Sequence, residues 1–294
     1  MSETTTFTGI YNFRDVGLVV NTLGDKKLIH EKFILRSGRL DDATPADREL
    51  LSEYGLRTVI DLRTKSEHIK QKETLVAKNR YLAAPNVEEV PWDIVYINFA
   101  GRNFEMNMLK QLKWWQLICF LTLMIFRFRM AAIRILGRNV LGPKGLLGLS
   151  KDSLRFCQAE ICEALDVLTD FKSYPVLIHC TQGKDRSGLI IMLVLFVLGV
   201  PLEQVAADYA LSNEGLAPVR ASMIKEVEEI GMDANYTKAP PEVVETVWDF
   251  LHTEYGGVDE YLDLIGFGEE KRKTLRKLLL TSVASITEFD RNHY

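Results

Sequence analysis

Residues 175–188 read Pro-Val-Leu-Ile-His-Cys-Thr-Gln-Gly-Lys-Asp-Arg-Ser-Gly. The first five positions form a short apolar run that predicts a strand, and the apolar run over 189–200 predicts a helix beginning near Ser187. Between them lies a polar loop in which five residues separate Cys180 from Arg186. A strand-to-helix loop can turn its backbone N–H groups inward, and the helix N-terminus adds partial positive charge. Gly183 supplies the positive φ that a concave loop requires, and Gly188 leaves room for the helix to approach the sheet. Arg186 offers a planar fork for two oxygens of a tetrahedral dianion. The same positive surroundings favour Cys180 as thiolate, which could attack phosphorus to form a phosphocysteine. Ser187 is then a donor to the departing thiolate, and Thr181, Gln182, Gly183 and Lys184 line the anion. His179 points the other way along the strand and orders the loop.

A buried cysteine at a strand end is common, because free Cys is a frequent core residue. That reading leaves the polar cluster 182–187 unexplained. Sulfur transfer of the rhodanese type also uses a Cys in an anion-binding loop, but the Cys-to-Arg spacing followed by Ser fits a phosphate-sized loop better. Cys119, Cys157 and Cys162 sit in apolar sequence and read as core residues, one of them a candidate for a protective disulfide with Cys180. None has a metal-ligand spacing with a nearby His, so no zinc or other metal site is expected.

Away from the loop, strands alternate with helices. Thr44-Pro-Ala-Asp47 predicts a helix start with Thr44 as N-cap and Pro45 first in the helix, Gly55 a stop, and Thr58-Val-Ile-Asp-Leu62 a strand. Leu154, Cys157, Ile161, Leu165 and Leu168 lie on one helical stripe within 153–171. The helix after the loop is apolar on nearly all sides and should be central. The pattern predicts an α/β fold, a parallel sheet flanked by helices, with the active site at the strand C-terminal ends where Cys180 and Asp61 fall. Beyond Pro201 only helices are expected, over 202–212, 218–231, 241–255, 258–265 and 269–280, in a helical part that ends near 285.

The chain of 294 residues is long enough for one large domain or two small ones. Its 47% apolar and 26% charged residues are ordinary for a soluble globular protein. With the loop, it is expected to be a single phosphatase domain over 1–294. Residues 1–8 are polar and lack the apolar core of a secretory signal. With four cysteines and no such signal, a reducing, cytoplasmic setting is expected. The net charge of −4 is uneven, for no acidic residue lies between Glu105 and Asp152 while eight Lys and Arg do. The rest of the chain therefore carries −12 (−4 minus 8), an asymmetry that suggests a negatively charged partner on one face. No nucleic-acid partner is expected.

Several stretches together resemble one tyrosine phosphatase family, the type that includes secreted mycobacterial and Listeria lipid and protein phosphatases and many fungal members. They are Asn12-Phe-Arg-Asp15, Leu35-Arg-Ser-Gly38, Thr58-Val-Ile-Asp-Leu-Arg63 with Glu67, the 180–188 loop, Asp208-Tyr-Ala-Leu-Ser212 and Gly256-Gly-Val-Asp-Glu-Tyr-Leu262. The likeness spans about 7–280. It implies a parallel sheet with flanking helices and helical lid elements, and no cofactor. It also implies activity on phosphotyrosine, sometimes phosphoserine or phosphothreonine, and in several members phosphoinositides. The family often has two glycines after Asn-Phe-Arg-Asp, whereas here Gly17 is followed by Leu18.

The general acid stays open at this stage. Conventional tyrosine phosphatases use a mobile Trp-Pro-Asp loop, and here the order is Pro91-Trp-Asp93. The resemblance points instead to Asp185 inside the loop, with Asp61 as a second or supporting carboxylate. Arg14 and Asp15 read as a structural ion pair beneath the loop, and Arg36 and Arg63 as scaffold. Lys184 suits a substrate with several phosphates, so a phosphoinositide stands beside a phosphorylated protein as substrate. A catalytically weak module that only recognises phosphorylated partners is the rival. The segment 105–150 is lid-like, and its apolar run 117–126 is too short for a membrane span. It reads first as a buried lid or core helix. The second reading is peripheral contact of 110–138 with an anionic membrane.

Overall fold

The computed structural model describes residues 7–24, 26–79 and 90–281. The start of the polar 1–8 stretch and the end of the helical part at 282–285 lie outside the described residues. In chain order the elements begin β1 (Arg14–Asp15), α1 (Val16–Leu23), β2 (Ile34–Ser37), α2 (Pro45–Glu53), β3 (Thr58–Asp61), α3 (Lys65–Asn79) and β4 (Asp93–Tyr96). They continue with α4 (Arg102–Lys110), α5 (Trp114–Ile125), α6 (Arg129–Leu136), α7 (Gly142–Phe156), α8 (Gln158–Val167), β5 (Val176–His179) and α9 (Asp185–Val197). Beyond Pro201 come α10 (Leu202–Ala210), α11 (Ser212–Gly215), α12 (Arg220–Glu229), α13 (Glu242–Tyr255), α14 (Val258–Leu264) and α15 (Glu269–Leu279).

The sheet order is β1-β2-β5-β3-β4, with β5 in the middle. β1 runs antiparallel to β2, and the other pairs are parallel. Ser37 and Asp61 both stand opposite His179, so three strands end at one level, and Cys180 is the next residue. All residues of β2, β3 and β5 are buried, because helices cover both faces. Successive residues then serve opposite faces. Ile34, Ile60, Val176 and Ile178 join the main core, while Leu35, Val59 and Leu177 pack with Leu51 and Trp92 on the other side.

The α9 helix is buried at every position from Ser187 to Val197, which its lack of a polar face demands. It also fixes the end of the loop in space. Thr44 caps α2 as expected, and Asp47 closes a reciprocal capping box. The stripe from Leu154 to Leu168 is buried throughout, but it belongs to two helices rather than one. Cys157, at φ −107° and ψ 29°, breaks the chain between α7 and α8.

Candidate active site

The 180–184 loop is shaped from behind. The Asn12 amide donates to the carbonyls of Gln182 (3.0 Å) and Gly183 (3.1 Å). Arg36 Nη2 donates to Gly183 O at 2.7 Å and to Lys184 O at 3.3 Å, and Arg39 N–H donates to Thr181 O at 3.0 Å. Four successive carbonyls therefore face the scaffold. In a trans peptide the N–H lies opposite the C=O, so the N–H groups of residues 182–185 turn to the other, concave side. Gly183 adopts φ 64°, and a Cβ there would overlap the Ser37 carbonyl. Gly188 gives room to two side chains: a Cβ would lie 3.1 Å from the Tyr209 ring and 3.3 Å from Arg36 Nη2.

Arg36 is itself held, with Nη1 2.6 Å from Asp208 Oδ2. Arg14 Nε is 2.8 Å from Asp208 Oδ1, and its Nη1 is 2.6 Å from Asn12 Oδ1. Burial would raise the Asp208 carboxyl, but these two guanidiniums hold it below the usual range. Burial and the neighbouring Arg14 bring Arg36 down to about 10. The expected Arg14–Asp15 ion pair is not formed. Asp15 instead caps α1 and accepts from the amides of Leu18 and Lys32, because successive residues of a strand point to opposite faces and Asp15 therefore faces away from Arg14.

On the open side, Glu67 clamps Arg186. Its two carboxylate oxygens each lie 2.7 Å from one Nη of the guanidinium. Arg186 Nη1 also donates to Leu62 O (3.1 Å) and Nη2 to Thr181 Oγ1 (3.3 Å). Glu67 further accepts from the Thr181 hydroxyl and from both the amide and hydroxyl of Thr64. Burial would push the Glu67 carboxyl up, but Arg186 and these donors hold it far below the carboxylate range. Glu67 lies at the start of α3, fixed there by its cap to Thr64.

Cys180 is buried at the end of β5, and the Ser187 hydroxyl is buried with no hydrogen-bond partner among the described residues. Asp185 is the carboxylate of this loop that solvent reaches, with 35% of its side chain exposed. Its Oδ1 accepts from Lys184 Nζ (2.8 Å) and from the Tyr209 hydroxyl (3.1 Å). Burial and the Asp185 charge both push the Tyr209 phenol up, so Tyr209 remains a donor.

Lys184 departs from its expected role. It is fully buried, and Nζ gives its other bonds to Tyr236 O (3.1 Å) and Lys238 O (2.7 Å). An ammonium has three hydrogens, so none is left to meet a second phosphate. Asp61 is also not at the pocket. It is buried and bound to Arg63 at 2.7 Å, with His179 Nε2 and His68 Nε2 each 3.6 Å away. Burial would raise its carboxyl, and Arg63 and His179 bring it below the normal value. Burial lowers His179, whose Nδ1 lies 3.1 Å from Cys180 O and steadies the loop. Asp93 pairs with Thr58 at the start of β4, at the far edge of the sheet, about 10 Å along the strand from the loop end. It therefore stands at the other end of the sheet from the loop. The Gln182 backbone lies in the loop, and its side chain is half-buried.

Of the other cysteines, Cys157 is buried and burial pushes its thiol up, Cys162 is half-buried, and Cys119 is exposed rather than in the core. All four are free, so the disulfide with Cys180 is not formed.

An oxyanion-sized loop at the C-terminal edge of a parallel sheet, with a thiol at its base and a clamped arginine at its rim, is the architecture of a phosphatase. The chain belongs to the tyrosine phosphatase family, whose family model matches residues 5–281. It is similar to a tyrosine-protein phosphatase of Nostoc commune, at 26% identity over 82% of this chain and 72% of the relative. It also resembles the triple specificity protein phosphatase PtpB of Mycobacterium tuberculosis, at 41% over 24% of each chain. An inositol diphosphatase, DSP3 of Arabidopsis thaliana, is 38% identical over 19% of this chain and 27% of the relative. The protein is thus a protein tyrosine phosphatase, and phosphorylated substrates follow from the family.

Proposed function

We propose that this protein, as a single domain of the mycobacterial and Listeria subtype, hydrolyses phosphotyrosine and phosphoinositide monoesters through a phosphocysteine on Cys180. The carrying observation is the loop whose four carbonyls are tied to Asn12, Arg36 and the Arg39 amide, which leaves its N–H groups to a dianion. Arg186 binds two phosphate oxygens through Nε and Nη2, with Nη2 releasing its 3.3 Å bond to Thr181. The Cys180 thiolate attacks phosphorus, and the bond to the ester oxygen breaks. Asp185 protonates that oxygen from Oδ2, since Oδ1 is engaged by Lys184 and Tyr209. Water then attacks phosphorus and gives its proton to Asp185, and phosphate leaves as the thiolate is restored. The unpartnered Ser187 hydroxyl is suited to donate to that thiolate. A buried hydroxyl left without any bond costs about 1–3 kcal/mol, which favours a partner during turnover.

Lys184 no longer supports the inositol lipid reading. What supports that reading is the similarity to an inositol diphosphatase over part of the chain, together with the basic, acid-free segment after Glu105. Purified protein should release phosphate from para-nitrophenyl phosphate, a phosphotyrosine peptide and a short-chain phosphoinositide. Cys180→Ser should bind phosphate yet lose turnover, because serine has no accessible anion near neutral pH. A wild-type protein that binds phosphopeptide without turnover would make it a recognition module instead.

A further inference from the structure

We propose that the hairpin of α5 and α6 seats this protein on an anionic lipid bilayer. The expected burial of the apolar run is not found. Trp114, Ile118, Leu121 and Ile125 form an outward stripe of α5, exposed by 75%, 56%, 48% and 77%. Trp115, Phe126 and Phe128 stand exposed beside it. The inner flank of the helix, Leu117 and Phe120, already packs on Met108, Leu112 and Val140. A helix on a water-facing surface carries one apolar stripe, inward. On this one the apolar surface continues past the packed flank onto the solvent side, and an exposed apolar patch of that kind marks an interface.

Charge selects the occupant. Exposed Lys113 precedes α5, exposed Arg127 follows it, and Arg134 and Arg138 are exposed further along. Within the chain no acidic residue lies between Glu105 and Asp152. A second copy of the chain would set these cations against themselves across a two-fold axis. Twelve residues of α5 span about 18 Å, too short to cross a bilayer but long enough to lie in its headgroup layer. Among the described residues no helix is long and apolar enough to cross a membrane. The aromatic ends beside cations match the order of groups found at a membrane–water boundary.

The hairpin root also meets the site. Arg129 donates to the Ser66 hydroxyl, next to Glu67, and Arg134 Nε donates to Glu229 O at 2.8 Å. If the proposed lipid activity holds, a seated protein would keep its loop close to headgroup phosphates. Seating itself needs no turnover.

Cosedimentation with phosphatidylcholine vesicles, with and without phosphatidylserine, tests this on the whole chain. Binding is expected only with phosphatidylserine, and part of it should survive high salt. Lys113→Gln with Arg127→Gln should weaken it by about fivefold per cation, about thirtyfold together. Ile118→Gln with Ile125→Gln should remove the salt-resistant part. All four side chains are exposed, and unchanged thermal melting verifies each fold. In the wild type, brominated lipid should quench Trp114 and Trp115. Cys180→Ser should bind as the wild type does, which separates seating from catalysis. Absent binding at low salt, or binding indifferent to both double variants, would overturn the proposal. So would self-association in free solution that the Ile118→Gln, Ile125→Gln variant abolishes.

Discussion

Glu67→Gln is the sharpest test of how the arginine fork is held. The substitution keeps the side-chain shape but must point an amide NH2 at one Nη of Arg186, donor against donor. One of two 2.7 Å charge-assisted bonds is lost, together with the charge that balances the guanidinium. Losing one partner of a fully buried pair costs about 3–5 kcal/mol, and an exposed pair contributes about 0–1 kcal/mol. The two side chains are 23% and 28% exposed, so the loss should be roughly 2–3 kcal/mol after solvent screening. For a chain of this size that lowers the melting temperature by roughly 3–5 °C. The freed guanidinium should bind inorganic phosphate at least as tightly, because a competing anion is gone. It should nevertheless hold the transition state poorly, and kcat for para-nitrophenyl phosphate should fall by about 10²-fold. Glu67→Asp keeps the charge and should recover much of the stability but little of the rate. If Glu67→Gln retains kcat within twofold, or loses phosphate affinity in step with rate, the clamp does not position Arg186.

Asp185→Asn should slow alkyl phosphates far more than para-nitrophenyl phosphate, since a good leaving group needs little protonation, while Asp93→Asn should leave both rates near wild type. The opposite ranking, measured as kcat/KM, would move the acid to β4. Folding stability should fall in acid. Glu67 and Asp208 are held below their ordinary values, so their contribution is complete above about pH 4.5 and is lost as pH falls through the lower native values. Urea midpoints between pH 6 and 3 should therefore decline less steeply in Glu67→Gln than in wild type, and equal slopes would remove Glu67 from the acid response. Leu193→Ala, at a fully buried position of α9, should cost about 2–5 kcal/mol in urea unfolding. A loss under 1 kcal/mol would mean that α9 is not the centre of the core.

What the sequence determined by itself lies within short windows. The strand, the loop from Cys180 to Gly188, the apolar α9, the Thr44 cap and the alternation that builds a parallel sheet each depend on residues a few positions apart. Backbone preference and apolar periodicity act over that range. What only the tertiary structure decided are the partners. Glu67 meets Arg186 from 119 positions away, and Asn12 reaches Gly183 from 171. Tyr209 reaches Asp185 from the next helix, 24 positions on. These residues stand within the matched family stretches, yet nothing local to them announces a bond, since such pairings depend on where the chain is folded back. The same limit misdirected Lys184 and Asp61. Each has the right charge beside the loop, but the carbonyls of Tyr236 and Lys238 in one case, and Arg63 in the other, turn them away from it. It also hid the outer face of α5, because an apolar run specifies a need for cover, and only the packing of its neighbours settles which side receives it.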